Sequence, residues 1–299
     1  MRVLVTGSDG FVGRWLMRHL SALGDDAVAL DPAVDVTDAA ALRAAVVTVE
    51  PDAVIHLAAQ ASVAQSWEQP LAAFAVNATG TLHLTEAALA CRRPPRVLLV
   101  GSAEVYGVVG PGDLPVGEDH PLAPVSPYAM TKATAELIGR QAWLGRRLEV
   151  LAARPFNHTG PGQAPGFVVP SLARQIVDAE RSGATAIAVG DISVRRDLTD
   201  VRDVVRAYRM LVEVGTPGRA YNVCRGQSIE IAEVGRRLAA LAQVELPFVV
   251  DPDRLRPVDI PDLRGDPSRL HHVTGWEPEI ALDHTLADVL ASLAAPTTP

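Results

Sequence analysis

Short aliphatic runs alternate with longer segments rich in alanine and leucine along the first half of the chain. The short runs have the length of buried strands, and the longer segments carry apolar residues at helical spacing. Parallel strands need such helical crossovers, and the helices then cover both faces of the sheet. We therefore predict an α/β fold with a doubly wound parallel sheet. The predicted strands cover 3–5, 27–30, 53–57, 97–100 and 150–153, and the predicted helices cover 11–23, 39–48, 71–91, 127–144 and 168–181.

The composition narrows the classes of partner. Hydrophobic residues make up 48% of the 299 residues, which is enough for a sizeable core. A formal net charge of -8 argues against a nucleic-acid groove or an anionic membrane surface, so we expect neither nucleic acid nor membrane as a partner.

The cysteines, the histidines and the apolar runs of the sequence bear on the cellular compartment and on whether a metal site is expected. Cys91 and Cys224 are too few for a disulfide framework. The first predicted strand begins at Val3, and no apolar run approaches the ~20 residues of a membrane span. The eight histidines show no HxxxH or HExxH spacing. We expect a cytoplasmic protein without a metal site.

A glycine-rich turn joins the first predicted strand to the first predicted helix. Its glycines are Gly7, Gly10 and Gly13, with Phe11 and Val12 between the last two. Glycine suits this turn because the backbone must reverse tightly and approach a pyrophosphate, while the helix packs closely on the strand. The N–H groups at the start of the helix then bind the anion. The sequence therefore predicts a Rossmann-type dinucleotide site at these five residues.

Asp31 follows the second predicted strand, about twenty residues beyond the glycine turn. A carboxylate there accepts hydrogen bonds from the adenosine ribose and repels a 2'-phosphate. No arginine follows before Arg43. We therefore expect NAD(H) as the favoured cofactor, with NADP(H) as the alternative. Asp31 is otherwise a turn former, and Asp35 and Val36 either meet the adenine edge or form a plain turn.

Lys132 is the only lysine among the 27 lysine and arginine residues, and it follows Tyr128 by four positions. Ser126 and Pro127 suit the start of a helix, so the phenol and the ammonium are expected on one helical face. Lysine offers a compact charge whose pKa responds to its surroundings, whereas arginine stays protonated. We expect the ammonium to bring the Tyr128 pKa of ~10 toward neutrality. The alternative interpretation of Lys132 is an exposed helix residue without a role.

Several further motifs occur in a fixed order and cover nearly the whole chain. They are His56-Leu57-Ala58-Ala59, Val76-Asn77-Ala78-Thr79-Gly80-Thr81, Gly101-Ser102-Ala103-Glu104-Val105-Tyr106-Gly107, Arg154-Pro155-Phe156-Asn157, Arg196-Asp197 and Tyr221-Asn222-Val223. Together with the glycine turn and the Tyr128/Lys132 pair, this set resembles the extended short-chain dehydrogenase/reductases that modify nucleotide sugars. The segments after Arg154 and Arg254 resemble most those members that reduce GDP-4-keto-6-deoxy-D-mannose.

The resemblance implies an NAD(P)H-dependent oxidoreductase. In it Tyr128 donates a proton, Lys132 tunes the phenol and holds the nicotinamide ribose, and Ser102 hydrogen-bonds the carbonyl oxygen. A turn cap is the alternative interpretation of Ser102. Asn77 is implied to belong to the cofactor site and to order the active-site helix. The alternative interpretation is a buried amide whose hydrogen bonds are satisfied and which has no functional role. The remaining implied cofactor contacts are Leu57, Ala58, Ala59 and Pro155.

On the substrate side, the resemblance implies that Arg196 and Arg256 hold a diphosphate, because guanidinium forks match phosphate oxygens. It also implies an amide contact from Asn157 and acceptance of a ribose hydroxyl by Asp259. An ordinary surface ion pair is the alternative for each arginine. The expected substrate is a GDP-sugar, and the expected reaction is reduction of the 4-keto group of GDP-4-keto-6-deoxy-D-mannose to GDP-D-rhamnose.

Glu104 leaves other reactions open. It lies where dehydratases of this family carry a base, although Ala103 replaces the aspartic acid of the dTDP-glucose dehydratases. In a reductase, Glu104 is expected to contact a sugar hydroxyl. GDP-mannose 4,6-dehydratase or another nucleotide-sugar epimerase or dehydratase is therefore the alternative function. A non-catalytic dinucleotide-binding regulator is a minor alternative, disfavoured because Ser102, Tyr128 and Lys132 are all present.

The irregular, proline- and glycine-rich sequence after residue 154 predicts a smaller C-terminal region that binds the substrate over the sheet's carboxyl edge. We assign residues 1–155 plus about 193–216 to a dinucleotide-binding domain. Residues from about 156–192 plus 217–299 are assigned to a nucleotide-sugar-binding domain. The predicted helices 71–91 and 127–144 resemble a four-helix interface and imply a homodimer. The residues expected there are Leu71, Phe74, Leu82, Leu89, Ala129, Ala133 and Leu137.

Overall fold

A six-stranded parallel sheet forms the centre of the chain. The computed structural model describes residues 1–255 and 260–294, without the side chains of 180–182. The strands of the sheet stand in the order β2-β1-β3-β4-β5-β9, and every neighbouring pair is parallel. Their bounds are β1 Arg2–Thr6, β2 Asp26–Ala29, β3 Ala53–His56, β4 Arg96–Val100, β5 Val150–Pro155 and β9 Ala220–Val223. The predicted fold class is confirmed.

Helices cover both faces of this sheet, as its continuous aliphatic strands require. On one face, α1 and α8 bury Leu16, Leu20, Val204 and Tyr208 against the strands. On the other face, α2, α5 and α6 enclose a second apolar cluster. The bounds are α1 Phe11–Ala22, α2 Ala39–Val49, α3 Val63–Glu68, α4 Pro70–Phe74, α5 Gly80–Leu89, α6 Pro127–Arg146 and α8 Val201–Val214.

The strand order places a topological switch between β1 and β3. The chain passes from β1 to β2 on one side and then crosses to β3 on the other side of β1. Ligands of open α/β sheets bind in the crevice at such a switch, beyond the carboxyl ends of the strands. Gly7 follows β1 and Leu57 follows β3, so the glycine turn lies at this crevice.

A second region lies after β5 and has its own core. Strands β10, β8 and β12 form one sheet, β6 joins it through β8, and β7 pairs with β11. Helices α7, α9 and α11 pack around a separate apolar cluster that includes Ile176, Leu238 and Leu286. The bounds are β6 Asn157–Thr159, α7 Val168–Ser182, β7 Ile187–Val189, β8 Arg195–Asp200, β10 Ser228–Glu230, α9 Ile231–Leu241, β11 Phe248–Val250, β12 Asp262–Leu263, α10 Ser268–Thr274 and α11 Leu282–Ala294.

The strand pairing differs from the predicted domain boundaries in two places. The segment 193–216 contains β8, which belongs to the second sheet, and only its α8 packs on the main sheet. The segment 217–299 begins with β9, which pairs with β5 at the edge of the main sheet. Each crossing strand is short, so no change in composition marks it. The division into two ligand-binding domains stays a prediction.

The helix predicted over 71–91 is divided into α4, a π-helical turn over Ala75–Thr79, and α5. The π-helical turn contains Asn77, whose side-chain amide forms hydrogen bonds through both its nitrogen and its oxygen, as described below.

Ala129 and Ala133, which we predicted at a dimer interface, are instead buried within the chain, and Leu89 is partly buried. Within the described ranges, no helix combines the length and apolar character needed to cross a membrane.

Candidate active site

The glycine turn has room for backbone only. Gly7 has φ +66°, and a Cβ there would lie 2.8 Å from the backbone nitrogen of Ala58. A Cβ on Gly13 would lie 2.2 Å from the carbonyl oxygen of Gly7. Helix α1 begins directly after Gly10, so its first N–H groups face the switch crevice. The residues present therefore fit the pyrophosphate of a dinucleotide.

The C-terminal region packs on this turn. The ring of Phe11 lies parallel to the ring of His158, with centroids 6.3 Å apart. Trp15 donates its indole N–H to the carbonyl oxygen of Pro161 at 3.0 Å. Arg14 donates one guanidinium N–H to the carbonyl oxygen of Gly162 at 3.1 Å. Contacts from β6 and the loop after it therefore fix one side of the switch crevice.

The loop after β2 carries the predicted adenosine contacts. The Asp31 carboxylate is exposed and accepts the N–H of Ala33 at 2.9 Å, and the Asp35 carboxylate accepts the N–H of Thr37 at 2.8 Å. Both acids thus form turns while remaining at the surface. Val36 is buried, and a Cβ on Gly80 would lie 2.8 Å from its Cγ2. The Val36 side chain therefore packs on α5.

Asn77 connects the loop after β3 to α6. Its amide Nδ2 donates to Thr131 Oγ1 at 2.9 Å and to the carbonyl oxygen of Gln60 at 3.2 Å, and its Oδ1 accepts the N–H of Gln60 at 2.8 Å. Thr131 in turn donates to the carbonyl oxygen of Tyr128. Ser66 Oγ accepts the Tyr128 N–H at 3.0 Å. Sequence reasoning missed Thr131, Gln60 and Ser66, because nothing in their spacing indicates that they meet.

Ser102 lies just beyond the carboxyl end of β4, and Tyr128 lies in the first turn of α6. Ser102 caps a short 3-10 helix over Ala103–Tyr106 by accepting the Glu104 N–H at 3.2 Å, so the turn-cap interpretation holds. The same side chain lies close enough to the Tyr128 phenol to lower its pKa. Ser102 therefore caps this turn while lying near the phenol, and its contact with a substrate carbonyl stays a prediction.

The pKa of the Tyr128 phenol is raised, which is opposite to the predicted direction. Burial is the main cause, the Glu104 carboxylate raises the pKa further, and the nearby Ser102 side chain opposes both. The Lys132 Nζ lies 6.0 Å from the Tyr128 ring centroid and donates to the carbonyl oxygen of Val100 at 2.8 Å. The ammonium is therefore directed at the backbone of β4 as well as lying beside the ring, and the phenol keeps its proton.

Lys132 is buried beside the Tyr128 ring. Its exposed fraction is 7%, and burial lowers its pKa to about 8. His56 at the end of β3 lies close by, and burial together with the Lys132 charge lowers the pKa of His56 to about 3. The imidazole is therefore neutral at neutral pH and adds no second charge. The interpretation of Lys132 as an exposed surface residue is wrong.

The predicted substrate residues lie around the second sheet. Asn157 opens β6 and is exposed, and it pairs with Leu198 of β8. Arg196 in β8 is buried and donates from Nη1 to the carbonyl oxygen of Ile260 at 2.6 Å. Pro155 ends β5 and is buried. Arg256 and Asp259 lie outside the described residues.

Comparison with known proteins identifies relatives of this chain. Residues 32–289 match the family described as GDP-mannose 4,6 dehydratase. The chain is 41% identical over 294 residues to the GDP-6-deoxy-D-mannose reductase of Pseudomonas aeruginosa, covering 97% of this chain and 96% of that protein. The solved structure of RMD from Pseudomonas aeruginosa complexed with NADPH superimposes with a TM-score of 0.91 at 38% identity, covering 98% of this chain and 99% of the other.

A second solved structure shows the same architecture. The UDP-glucose 4-epimerase of Thermus thermophilus, in complex with NAD, has a TM-score of 0.89 at 27% identity and covers 99% of this chain and 100% of the other. The chain belongs to the GDP-mannose 4,6-dehydratase family within the extended short-chain dehydrogenase/reductases, which are NAD(P)-dependent enzymes of nucleotide sugars. Within that family, its similarity to the Pseudomonas aeruginosa reductase extends over nearly the full length of both chains. The predicted family is confirmed.

Proposed function

We propose that the protein reduces the 4-keto group of GDP-4-keto-6-deoxy-D-mannose to give GDP-D-rhamnose. The observation that carries this proposal is the grouping of Ser102, Tyr128 and buried Lys132, at the same sheet edge as the glycine turn. The 41% identity to a GDP-6-deoxy-D-mannose reductase favours this reaction over dehydration of GDP-mannose or epimerisation.

A nicotinamide dinucleotide supplies the hydride in this proposal. The turn of Gly7, Gly10 and Gly13 would hold its pyrophosphate at the N-terminus of α1, with Phe11 and Val12 in the first helical turn. Leu57, Ala58 and Ala59 after β3 would line its other side, and Pro155 would close the nicotinamide end. Lys132 and Tyr128 would contact the nicotinamide ribose.

The chain's own residues then handle the proton. The raised pKa of Tyr128 keeps the phenol protonated, which is the state that can donate to a developing alkoxide. Ser102 would hold the same carbonyl oxygen by a hydrogen bond, so charge that develops there meets two fixed donors. Lys132 would stabilise the phenolate left after proton transfer. Glu104 would contact a sugar hydroxyl.

The GDP moiety would lie over the second sheet. Arg196 and Arg256 would bind the diphosphate, Asn157 would donate its amide, and Asp259 would accept a ribose hydroxyl. Arg196 pairs with Ile229 of β10, and its Nη1 donates to the carbonyl oxygen of Ile260, so the guanidinium is held in place before a substrate binds.

NADH is proposed to serve at least as well as NADPH. The exposed Asp31 carboxylate stands just beyond β2, where it repels a 2'-phosphate. The Pseudomonas aeruginosa structure holds NADPH, and the Thermus thermophilus epimerase holds NAD. One relative with this fold therefore binds NADPH and another binds NAD. Asp31 favours the use of NADH by this protein.

We further propose a homodimer in the cytoplasm. Met130, Leu137 and Leu144 recur every seven residues along α6 and are all exposed. Leu71, Phe74 and Leu82 are exposed on the neighbouring α4 and α5. Two copies of this face could bury these side chains by an isologous contact. Light scattering that gives a single-chain mass at every concentration would contradict the dimer.

The test of the reaction uses GDP-4-keto-6-deoxy-D-mannose with NADH or NADPH. We expect oxidation of the dinucleotide and formation of GDP-D-rhamnose, identified by NMR. GDP-mannose incubated without added dinucleotide is expected to remain unchanged. Conversion of GDP-mannose to the 4-keto-6-deoxy sugar at a comparable rate would show that the chain is a dehydratase instead.

A further inference from the structure

Glu136 continues the helical face that carries Tyr128 and Lys132. It lies one turn beyond Lys132 on α6, and its side chain is 15% exposed. Glu136 and Lys132 also line the same small enclosed cavity, together with His56 and Asn77. A carboxylate in this position could pair with the ammonium of Lys132, because oppositely charged side chains four residues apart in a helix can reach each other.

The guanidinium of Arg154 in β5 donates hydrogen bonds to the Glu136 carboxylate. Its Nε donates to Glu136 Oε2 at 2.9 Å, and its Nη2 donates to Glu136 Oε1. This bidentate geometry gives both direction and strength to the pair. The Arg154 side chain is 5% exposed, so solvent hardly screens the interaction.

The same guanidinium also reaches the turn that carries Ser102. Arg154 Nη1 donates to Tyr106 Oη at 2.8 Å and to the carbonyl oxygen of Glu118 at 2.9 Å. Tyr106 donates its hydroxyl to Asn222 Oδ1 at 2.7 Å. Tyr106 ends the 3-10 helix that Ser102 begins. One arginine therefore connects the helix of Tyr128 and Lys132 to the segment of Ser102 and Glu104.

We propose that Arg154 is a positioning residue for the active site. It binds Glu136 so that this carboxylate does not pair with Lys132, and it binds Tyr106 so that Ser102 stays at a fixed distance from Tyr128. The charged and titratable groups around Lys132 are His56 from β3 and Tyr128 and Glu136 from α6, with Glu104 facing Tyr128. Of the two carboxylates, Glu136 and Glu104, it is Glu136 that forms hydrogen bonds with Arg154.

Because the chain has a single lysine, its side chain can be observed alone. Lysine labelled with ¹³C and ¹⁵N gives one side-chain signal by NMR, and its pH titration reports the pKa of Lys132, which is about 8 in the wild type. Arg154→Gln releases the Glu136 carboxylate, so we expect the Lys132 pKa to rise by about one unit. Glu136→Gln leaves the guanidinium without its counter-charge, so we expect a fall of about one unit. The double variant is expected to return toward the wild-type value.

Arg146→Gln is the matched control. Arg146 lies on the same helix and pairs with Glu86 at 3.4 Å, but both side chains are half exposed. We expect no change in the Lys132 titration. If Arg154→Gln does not fold, Arg154→Lys keeps the charge and loses the bidentate contact, and a smaller rise in the Lys132 pKa is expected. Folded Arg154 and Glu136 variants whose Lys132 titrates as in the wild type would overturn the inference.

Kinetics supply a second readout, which rests on the proposed reductase function. We expect Arg154→Lys to lower kcat for ketosugar reduction about tenfold while KM for the dinucleotide stays nearly constant, because alignment and not binding is changed. A wild type that does not reduce the ketosugar would refute the proposed function. The NMR titration would still decide the role of Arg154 in that case.

Discussion

On the dinucleotide side of the proposed site the backbone makes the shape, whereas on the substrate side distant side chains make it. The glycine turn is one short segment whose close approaches exclude any Cβ. The substrate side combines β6, β8 and loops separated by many residues, and a buried carboxylate, Asp197, holds those loops. Local spacing therefore defines the first side, and chain topology defines the second.

Gly13→Ala tests the backbone side with the largest expected effect. Its Cβ would lie 2.2 Å from the carbonyl oxygen of Gly7 and 2.6 Å from Ser8 Cα, and both atoms are backbone. The turn must therefore open, and we expect dinucleotide affinity, measured by calorimetry, to fall by about 100-fold or more. Gly112→Ala is the control, because a Cβ there has no neighbour within 4 Å. Equal affinity in the two variants would contradict the role given to the turn.

Lys132→Arg tests the junction between the two sides. The guanidinium is larger and cannot place one compact charge between Tyr128 and the carbonyl oxygen of Val100. We expect kcat for ketosugar reduction to fall about 100-fold although the positive charge is kept. Arg140→Lys, an exposed exchange on the same helix, is expected to leave kcat unchanged. Near-normal turnover of Lys132→Arg would show that the lysine is incidental.

Asp197→Asn tests the substrate side through the pH dependence of the free energy of unfolding. The Asp197 carboxylate accepts backbone N–H groups of Arg225 and Gly226, and burial nevertheless raises its pKa to about 6. The native state therefore binds a proton more readily than the unfolded chain. This favours folding at low pH, and the contribution is lost as pH rises through about 4 to 6. We expect the variant to lack this decline in the free energy of unfolding, which is worth about 3 kcal/mol.

Asp191→Asn provides a control of opposite sign for that measurement. Hydrogen bonds from Ser193 lower the pKa of Asp191, which is exposed. Its contribution therefore favours folding above the unfolded-state pKa and is lost as pH falls. Denaturant titrations at several pH values distinguish the two variants. An Asp197→Asn variant with the wild-type pH dependence would show that the loops do not depend on the charge state of this carboxylate.

Asp31→Ser has the smallest expected effect and tests the proposed contact between the Asp31 carboxylate and the adenosine ribose. Loss of the carboxylate removes the repulsion of a 2'-phosphate, so we expect the ratio of kcat/KM for NADPH over NADH to rise by about three- to tenfold. Asp38→Ser removes a nearby carboxylate but keeps a capping oxygen for α2, and it should leave the ratio unchanged. An unchanged ratio in Asp31→Ser would mean that another residue reads the ribose.

The sequence by itself determined the elements whose cause is local. Aliphatic runs predicted β1 to β5 within about two residues, and the spacing of Gly7, Gly10 and Gly13 predicted a turn that the backbone geometry confirms. The four-residue spacing of Tyr128 and Lys132 placed both on one helix, because helical periodicity depends on neighbours in the chain alone. The ordered motifs were enough to predict the family.

Only the tertiary structure decided which distant groups meet. Arg154 and Glu136 are eighteen positions apart and pair because β5 lies under α6. The pKa of Tyr128 is raised because folding buries the phenol near Glu104, whereas the sequence suggested only the opposing effect of Lys132. Ala129 and Ala133 face inward because of how α6 is rotated against the sheet. Burial and long-range charge depend on packing between elements, and spacing along the chain does not encode them directly.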